Sequence, residues 1–158
     1  MDFVETTNLL YDSYLLHSLF DSFSVVDVCT PEACPEMAAG PHYSYYWTDF
    51  NGSSPVQMSA REYILTLFQS ISDVFSKPPF NQCNQGVFPD NFMSMCRAIF
   101  KKLFRVYAHV YHHHLIEFTR IGAEAHLNTT FKRFVLFERE FKMININEEM
   151  PLRKLISQ

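Results

Sequence analysis

Lys101-Lys102-Leu103-Phe104-Arg105-Val106-Tyr107-Ala108-His109-Val110-Tyr111-His112-His113-His114 is the stretch that decides the reading of this chain. Together with the residues before it, it sets Phe92, Met95, Ile99, Leu103, Val106 and Val110 on one helical face. Asp90 or Asn91 caps that helix, and it reaches about His114. Two kinds of chemistry ride on it. Arg97, Lys101 and Arg105 stand four residues apart, one above another, with Lys102 at their flank. Past them, four imidazoles crowd the helix end: His109, His112, His113 and His114.

The segments around this helix are mostly helical too. From Phe3 to about Phe23, Leu9, Leu10, Leu15, Leu16, Leu19, Phe20 and Phe23 recur at helical spacing. Ser59 reads as an N-cap, with Glu62 completing a capping box, for a helix that ends near Ser76 before Pro78 and Pro79. A further helix runs from about Ala123 to Phe141, and a short one follows Asn147. Between the first two helices the character changes. Pro31, Pro35, Gly40 and Pro41 break any helix. His42 to Trp47 reads as an aromatic strand, Asn51-Gly52 as a turn and Val56 to Met58 as the returning strand of a hairpin. The expected fold is all-α: a helical bundle with a four-helix core and a small β-hairpin insert.

The totals agree with one domain. The chain has 158 residues, enough for a single core. It is rich in rings, with 16 Phe and 8 Tyr, which suit the gaps between packed helices. A formal net charge of -4 gives no global attraction to nucleic acid or an acidic membrane, so any anion site must be a local patch. No apolar run approaches the roughly 20 residues of a membrane span. The start, Met1-Asp2-Phe3-Val4-Glu5, lacks the basic opening of a signal peptide. These features predict a soluble intracellular protein, where paired cysteines more often bind metal or do redox work than form disulfides.

Cys29 and Cys34 form such a pair, a C-x4-C step across a proline-bearing loop. Two thiolates at this spacing can grip one tetrahedral Zn²⁺ if two imidazoles join them. The run from His109 to His114 offers four, and spacing leaves the choice open. His109 and His113 share a helix face, and His109 with His112 would also serve. His109 and His114 lie roughly 140° apart on an ideal helix and converge only if the helix bends. The competing reading is a pair of small buried hydrophobes beside a polar helix end. For the ridge of Arg97, Lys101 and Arg105, the competing reading is a solvated helix face. Lys132 and Arg133 on the following helix are its candidate neighbours.

Taken together, several stretches resemble the Mob/phocein family of kinase-associated adaptors. They are Cys29 to Pro35, Ala39 to Trp47, Phe88 to Phe92, Lys101 to His114, Glu124 to Thr129 and Phe137 to Ile144, in that order. The resemblance implies a single Mob/phocein-like domain over 1–158. Within it, 1–28 is the N-terminal helix, 29–58 the zinc loop and hairpin, and 59–158 the helical core. It implies a structural zinc held by Cys29, Cys34, His109 and His114, which leaves His112 and His113 as non-ligands. His126 is then expected to pack in the fold.

The resemblance also implies a function without catalysis. Mob proteins are co-activators of NDR/LATS-type AGC kinases, bound through an acidic and apolar first helix. Some also bind a phosphorylated segment of an upstream Ste20-type kinase or scaffold. The matching phosphopeptide-binding positions are Lys101, Lys102 and Arg105. The expected place of action is the cytoplasm, and the nucleus as well, in signalling of the Hippo or mitotic-exit kind. A phocein-like scaffold subunit of a striatin-type phosphatase–kinase complex is the alternative, and a zinc hydrolase a more distant third. Two departures stand out. The first helix lacks the family's usual tryptophan, since Trp47 is the only one in the chain. Ser53, Ser54 and Gln57 stand where kinase-activating members often carry lysines.

Overall fold

The computed structural model describes residues 3–22, 25–85 and 88–157. Asp2, Phe23 and Gly86 lie outside the described residues, as do the side chains of Glu5, Leu9, Leu10 and Cys83. The chain runs through α1 (Phe3–Ser22), α2 (Val25–Val28), β1 (Met37–Ala38), β2 (Ser44–Tyr45), α3 (Ala60–Ser76), α4 (Phe92–His113), α5 (Leu115–Arg120), α6 (Glu124–Glu140) and α7 (Arg153–Ile156). Short 3₁₀ turns at Phe80–Gln85 and Met150–Leu152 connect them. No helix of the described residues is long and apolar enough to cross a membrane.

Helix α4 is the axis of the molecule. It is buried on nearly every side, not on one face alone: Ile99, Phe100, Leu103, Phe104, Val106, Tyr107, Ala108 and Val110 are all excluded from solvent. Periodicity marks only the residues that are always apolar; the other faces are covered by α3 and β1 and by the rings of α6. The ring-rich composition is used here. Phe100 stacks on Phe134 and Phe137 of α6 at 5.0 and 5.3 Å, and Tyr107 packs on Phe131 and Phe134. Each such ring buried contributes about 2–3 kcal/mol through lost apolar surface. Helix α1 is tied to α6 by Asp12, which is fully buried and accepts a 2.8 Å bond from Arg133 Nε. Burial pushes the Asp12 carboxyl above its usual range, and Arg133 opposes that shift.

The caps follow local chemistry. Ser59 accepts from the Glu62 N–H at 3.2 Å and starts α3 where the sequence places it. Asn91 precedes α4 without a side-chain cap bond. Two expectations need correction. The two-stranded antiparallel sheet pairs Met37 with Tyr45 and Ala38 with Ser44, upstream of the expected hairpin. A left-handed turn at Gly40 (φ 72°) makes that early pairing possible. Only one bridge, Trp47 with Val56, remains of the expected hairpin, around a turn built on the Asp49 carboxylate. His126 is exposed rather than packed, because the inward face of α6 is Leu127, Thr130, Phe131 and Phe134. Helix α5 is also new: six residues are too few to declare a period.

Candidate metal centre and basic face

Cys29, Cys34, His109 and His114 converge. Their four ligand atoms lie within 4.8 Å of one another, and all four residues are buried. The loop curls because Pro31 follows Thr30 into a turn: Ala33 N–H donates to Thr30 Oγ1, and Cys34 N–H to the Thr30 carbonyl. Cys29 N–H still bonds back to Val25, so Cys29 closes a helical turn while Cys34 closes the loop. On the other side, α4 stops at His113. His114 leaves helical geometry at φ -131° and ψ 11°, which swings its ring round to meet His109. That bend resolves the roughly 140° separation that a straight helix would impose.

The distances test whether a cation fits. His109 Nε2 and His114 Nε2 are 3.2 Å apart, and the sulfur–nitrogen distances are 3.5 Å (Cys29 to His109) and 3.6 Å (Cys34 to His114). A tetrahedron with metal bonds of about 2.0 Å to nitrogen and 2.3 Å to sulfur has edges of ~3.3 and ~3.5 Å. The protonation pattern agrees. His109 Nδ1 donates to the Ala38 carbonyl at 2.7 Å, so its Nε2 presents a lone pair to the centre. His114 Nδ1 faces Glu117 Oε2 at 3.9 Å, and both atoms are buried without a hydrogen bond. Two imidazole lone pairs and two thiol sulfurs therefore face one small volume. Burial holds His109 down at about 3 and drives both thiols up, Cys29 further raised by Cys34. Burial lowers His114 too, so both rings favour the neutral form that ligands need, and a cation is what would draw the protons off sulfur. The described residues can hold a metal ion here.

The two remaining histidines brace the same corner. His113 Nε2 accepts from Gly40 N–H at 3.0 Å, and His112 Nε2 donates to the Pro151 carbonyl at 2.7 Å. A Cβ on Gly40 would stand 3.1 Å from His112 Nδ1, so glycine is required there by space as well as by its φ.

One to three turns earlier on α4 the cations divide. Lys102 is buried, bonded to Thr48 Oγ1 at 3.2 Å and set 5.1 Å over the Trp47 ring. Burial, then Arg105 and Lys101, push its ammonium down to about 8. Arg105 donates to Tyr63 Oη at 3.1 Å and lies 4.6 Å over Tyr45. Lys101 is exposed. Glu148 sits against both, 3.6 Å from Lys101 Nζ and 3.8 Å from Arg105. Arg97 is exposed one turn before Lys101. Lys132 and Arg133 do not extend this face. Arg133 turns to Asp12, and Lys132 lines a groove with Tyr111, Asn128 and Leu136. Glu148 was invisible to spacing arguments, because nothing local in the sequence links it to α4.

Fold and site define a helical domain braced by a buried four-donor cluster, with a basic face on the same helix. Comparison with known proteins says which domain this is. Residues 1–152 match the Mob1/phocein family, and the chain belongs to that family. MOB kinase activator-like 1A of Arabidopsis thaliana is 40% identical over 158 residues, covering 99% of this chain and 68% of that protein. MOB kinase activator-like 1 homolog C of Dictyostelium discoideum is 37% identical, covering all of this chain and 69% of its own length. A MOB kinase activator-like 1A from Medicago sativa subsp. falcata is 44% identical over 135 residues.

Proposed function

We propose that this chain is a non-catalytic adaptor that activates a protein kinase. One surface would hold the N-terminal regulatory region of an NDR/LATS-type kinase. The basic face of α4 would hold a phosphorylated segment of an upstream Ste20-type kinase or scaffold, through Lys101, Lys102 and Arg105. Bringing both onto one domain raises their effective concentration, which promotes phosphorylation with no chemistry by the adaptor. The observation that carries the reading is the donor set: four buried side chains that would close a tetrahedral shell around an ion and leave it no position for a substrate. The names of the relatives favour a kinase activator over a phocein-like scaffold.

The ion is zinc in this reading, since a Cys2His2 tetrahedron suits it and it brings no redox chemistry. Its role is structural: it ties the 29–34 loop to the end of α4. The cytoplasm, and the nucleus as well, are the proposed sites of action. Calorimetry tests the phosphate role: a phosphothreonine peptide should bind at least about tenfold more tightly than its unphosphorylated twin. Equal affinity would remove the phosphate-reading role. Co-purification from the source cell tests the partner, an NDR-type kinase supporting the proposal and a striatin-like scaffold the alternative.

A further inference from the structure

Beside the Lys101–Arg105 pair lies a cavity of about 680 Å³ between α4 and the 142–148 segment. Arg97, Lys101 and Lys142 line it, with Glu148 as the one carboxylate and Met143, Ile144 and Asn145 as part of the floor. Among the described residues neither Arg97 nor Lys142 forms an ion pair, whereas Lys101 and Arg105 share Glu148. In a chain of net charge -4, two cations left without a carboxylate on one cavity are a local concentration of positive field.

Lys142 adds an independent observation. It stands just past the end of α6 with φ 52°, the left-handed conformation in which glycine is the ordinary residue. A lysine there carries backbone strain that glycine would avoid. What the lysine provides in exchange is an ammonium at the cavity. Among the described residues no hydrogen bond or ion pair of its side chain accounts for its presence, while its backbone N–H donates to the Arg139 carbonyl.

We infer that Arg97, Lys101 and Lys142 form a second anion subsite, which takes a further acidic group of the phosphorylated segment bound at Lys101 and Arg105. This rests on the phosphate-reading role proposed above and adds the sequence requirement of the ligand. Along α4, Arg97 lies about 6 Å from Lys101 and about 12 Å from Arg105 at ~1.5 Å per residue. Extended peptide spans ~3.3 Å per residue, so the second acid stands about two to four residues from the phosphate. Glu148 is the divider: it faces the first subsite through Arg105 and the cavity through Lys101.

Phosphothreonine peptides carrying Glu, phosphoserine or Ala at two to four residues on either side test this by calorimetry. At one spacing the acidic peptide should bind at least about fivefold more tightly than the Ala peptide, roughly one ion pair's worth. A larger gain with phosphoserine than with Glu identifies a second phosphate as the natural group, and equal gains a carboxylate. In R97Q and K142G the ratio of acidic to Ala peptide should fall to about one. K142G should melt at or above the wild-type temperature, because it relieves the left-handed strain. No gain at any spacing overturns the inference, as does a gain that persists in both variants. So does a K142G melting point several degrees lower, which would make Lys142 a structural cap. If no phosphopeptide binds at all, the phosphate-reading role falls first. Inorganic phosphate titrated into labelled protein then decides the cavity: amide shifts at Arg97 and Lys142 to Asn145 keep the subsite, and their absence removes it.

Discussion

The two halves of α4 use polar side chains in opposite ways. At its C-terminal end four histidines each meet a partner from a distant segment: Ala38, Gly40, Pro151 and the two cysteines. Every ring there is oriented by a bond or by the cluster. Earlier on the helix, Arg97, Lys101, Lys102 and Arg105 show a gradient, from an exposed cation without an ion pair to one buried over Trp47. The C-terminal part of the helix holds the fold and the part before it presents a surface. The difference teaches that one helix can brace the fold and present a cationic face at once, provided each group is satisfied at one end and left incompletely satisfied at the other.

The comparison breaks first if the metal corner is dispensable. Chelation, or Cys34→Ser, should lower the melting temperature by at least about 10 °C, since each kcal/mol is worth roughly 2–4 °C at this size. An unchanged melting curve would make the cluster a bystander. Next in size is Arg105→Ala, which removes the bond to Tyr63 and the stacking on Tyr45. It should cost about 1–3 kcal/mol in denaturant unfolding and abolish phosphopeptide binding. Glu148→Gln sharpens the contrast. Its pairs are partly exposed and worth little to the fold, under about 1 kcal/mol, so stability should hold while anion affinity rises severalfold. A large loss of stability would move Glu148 to the bracing half.

The prediction that leaves the contrast between the halves least changed concerns neither of them and serves as a control. Glu138 on α6 is buried beside Glu149, and that burial, then the bond and charge of Glu149, raise its carboxyl to about 9. Glu149, although itself partly desolvated, is held low by Glu138 and Arg139. Glu138 thus keeps its proton in the fold and loses it on unfolding in the ordinary carboxylate range. Its contribution is full below that range and declines as pH rises toward about 9. Glu138→Gln should flatten the melting temperature between pH 5 and 9 without altering metal or peptide binding. A slope as steep as the wild type's would assign the linkage to other groups.

What was legible in the sequence follows how local each cause is. Ser59 and Glu62 are three residues apart, and the N-cap bond is where spacing put it. The C-x4-C pair and the histidine run are each local, so a metal corner could be read. The pairing of His109 with His114 came from family resemblance, since it depends on where the helix bends. The burial of Lys102 could not be read, because Trp47 and Thr48 lie in another segment and periodicity reports faces without their covers. The early strand pairing was missed for a similar reason: Met37-Ala38 carries no alternation of its own, and Ser44 returns to it through the left-handed turn at Gly40.

The metal corner also acts on the chain when it is not folded. Cys29 and His109 are separated by 80 residues, as are Cys34 and His114. Each pair of like ligands is local, so an ion can be held by one pair while the rest of the chain still fluctuates. Capturing the second pair closes a ring of about 80 residues, and the chain-entropy relation for cross-links values such a closure at about 4.5 kcal/mol. The metal-free chain has a wider range of conformations to lose, and its long-range contacts between the loop and α4 must be found by diffusion. Metal supply would therefore set how quickly this domain reaches its native state, as well as how firmly it stays there.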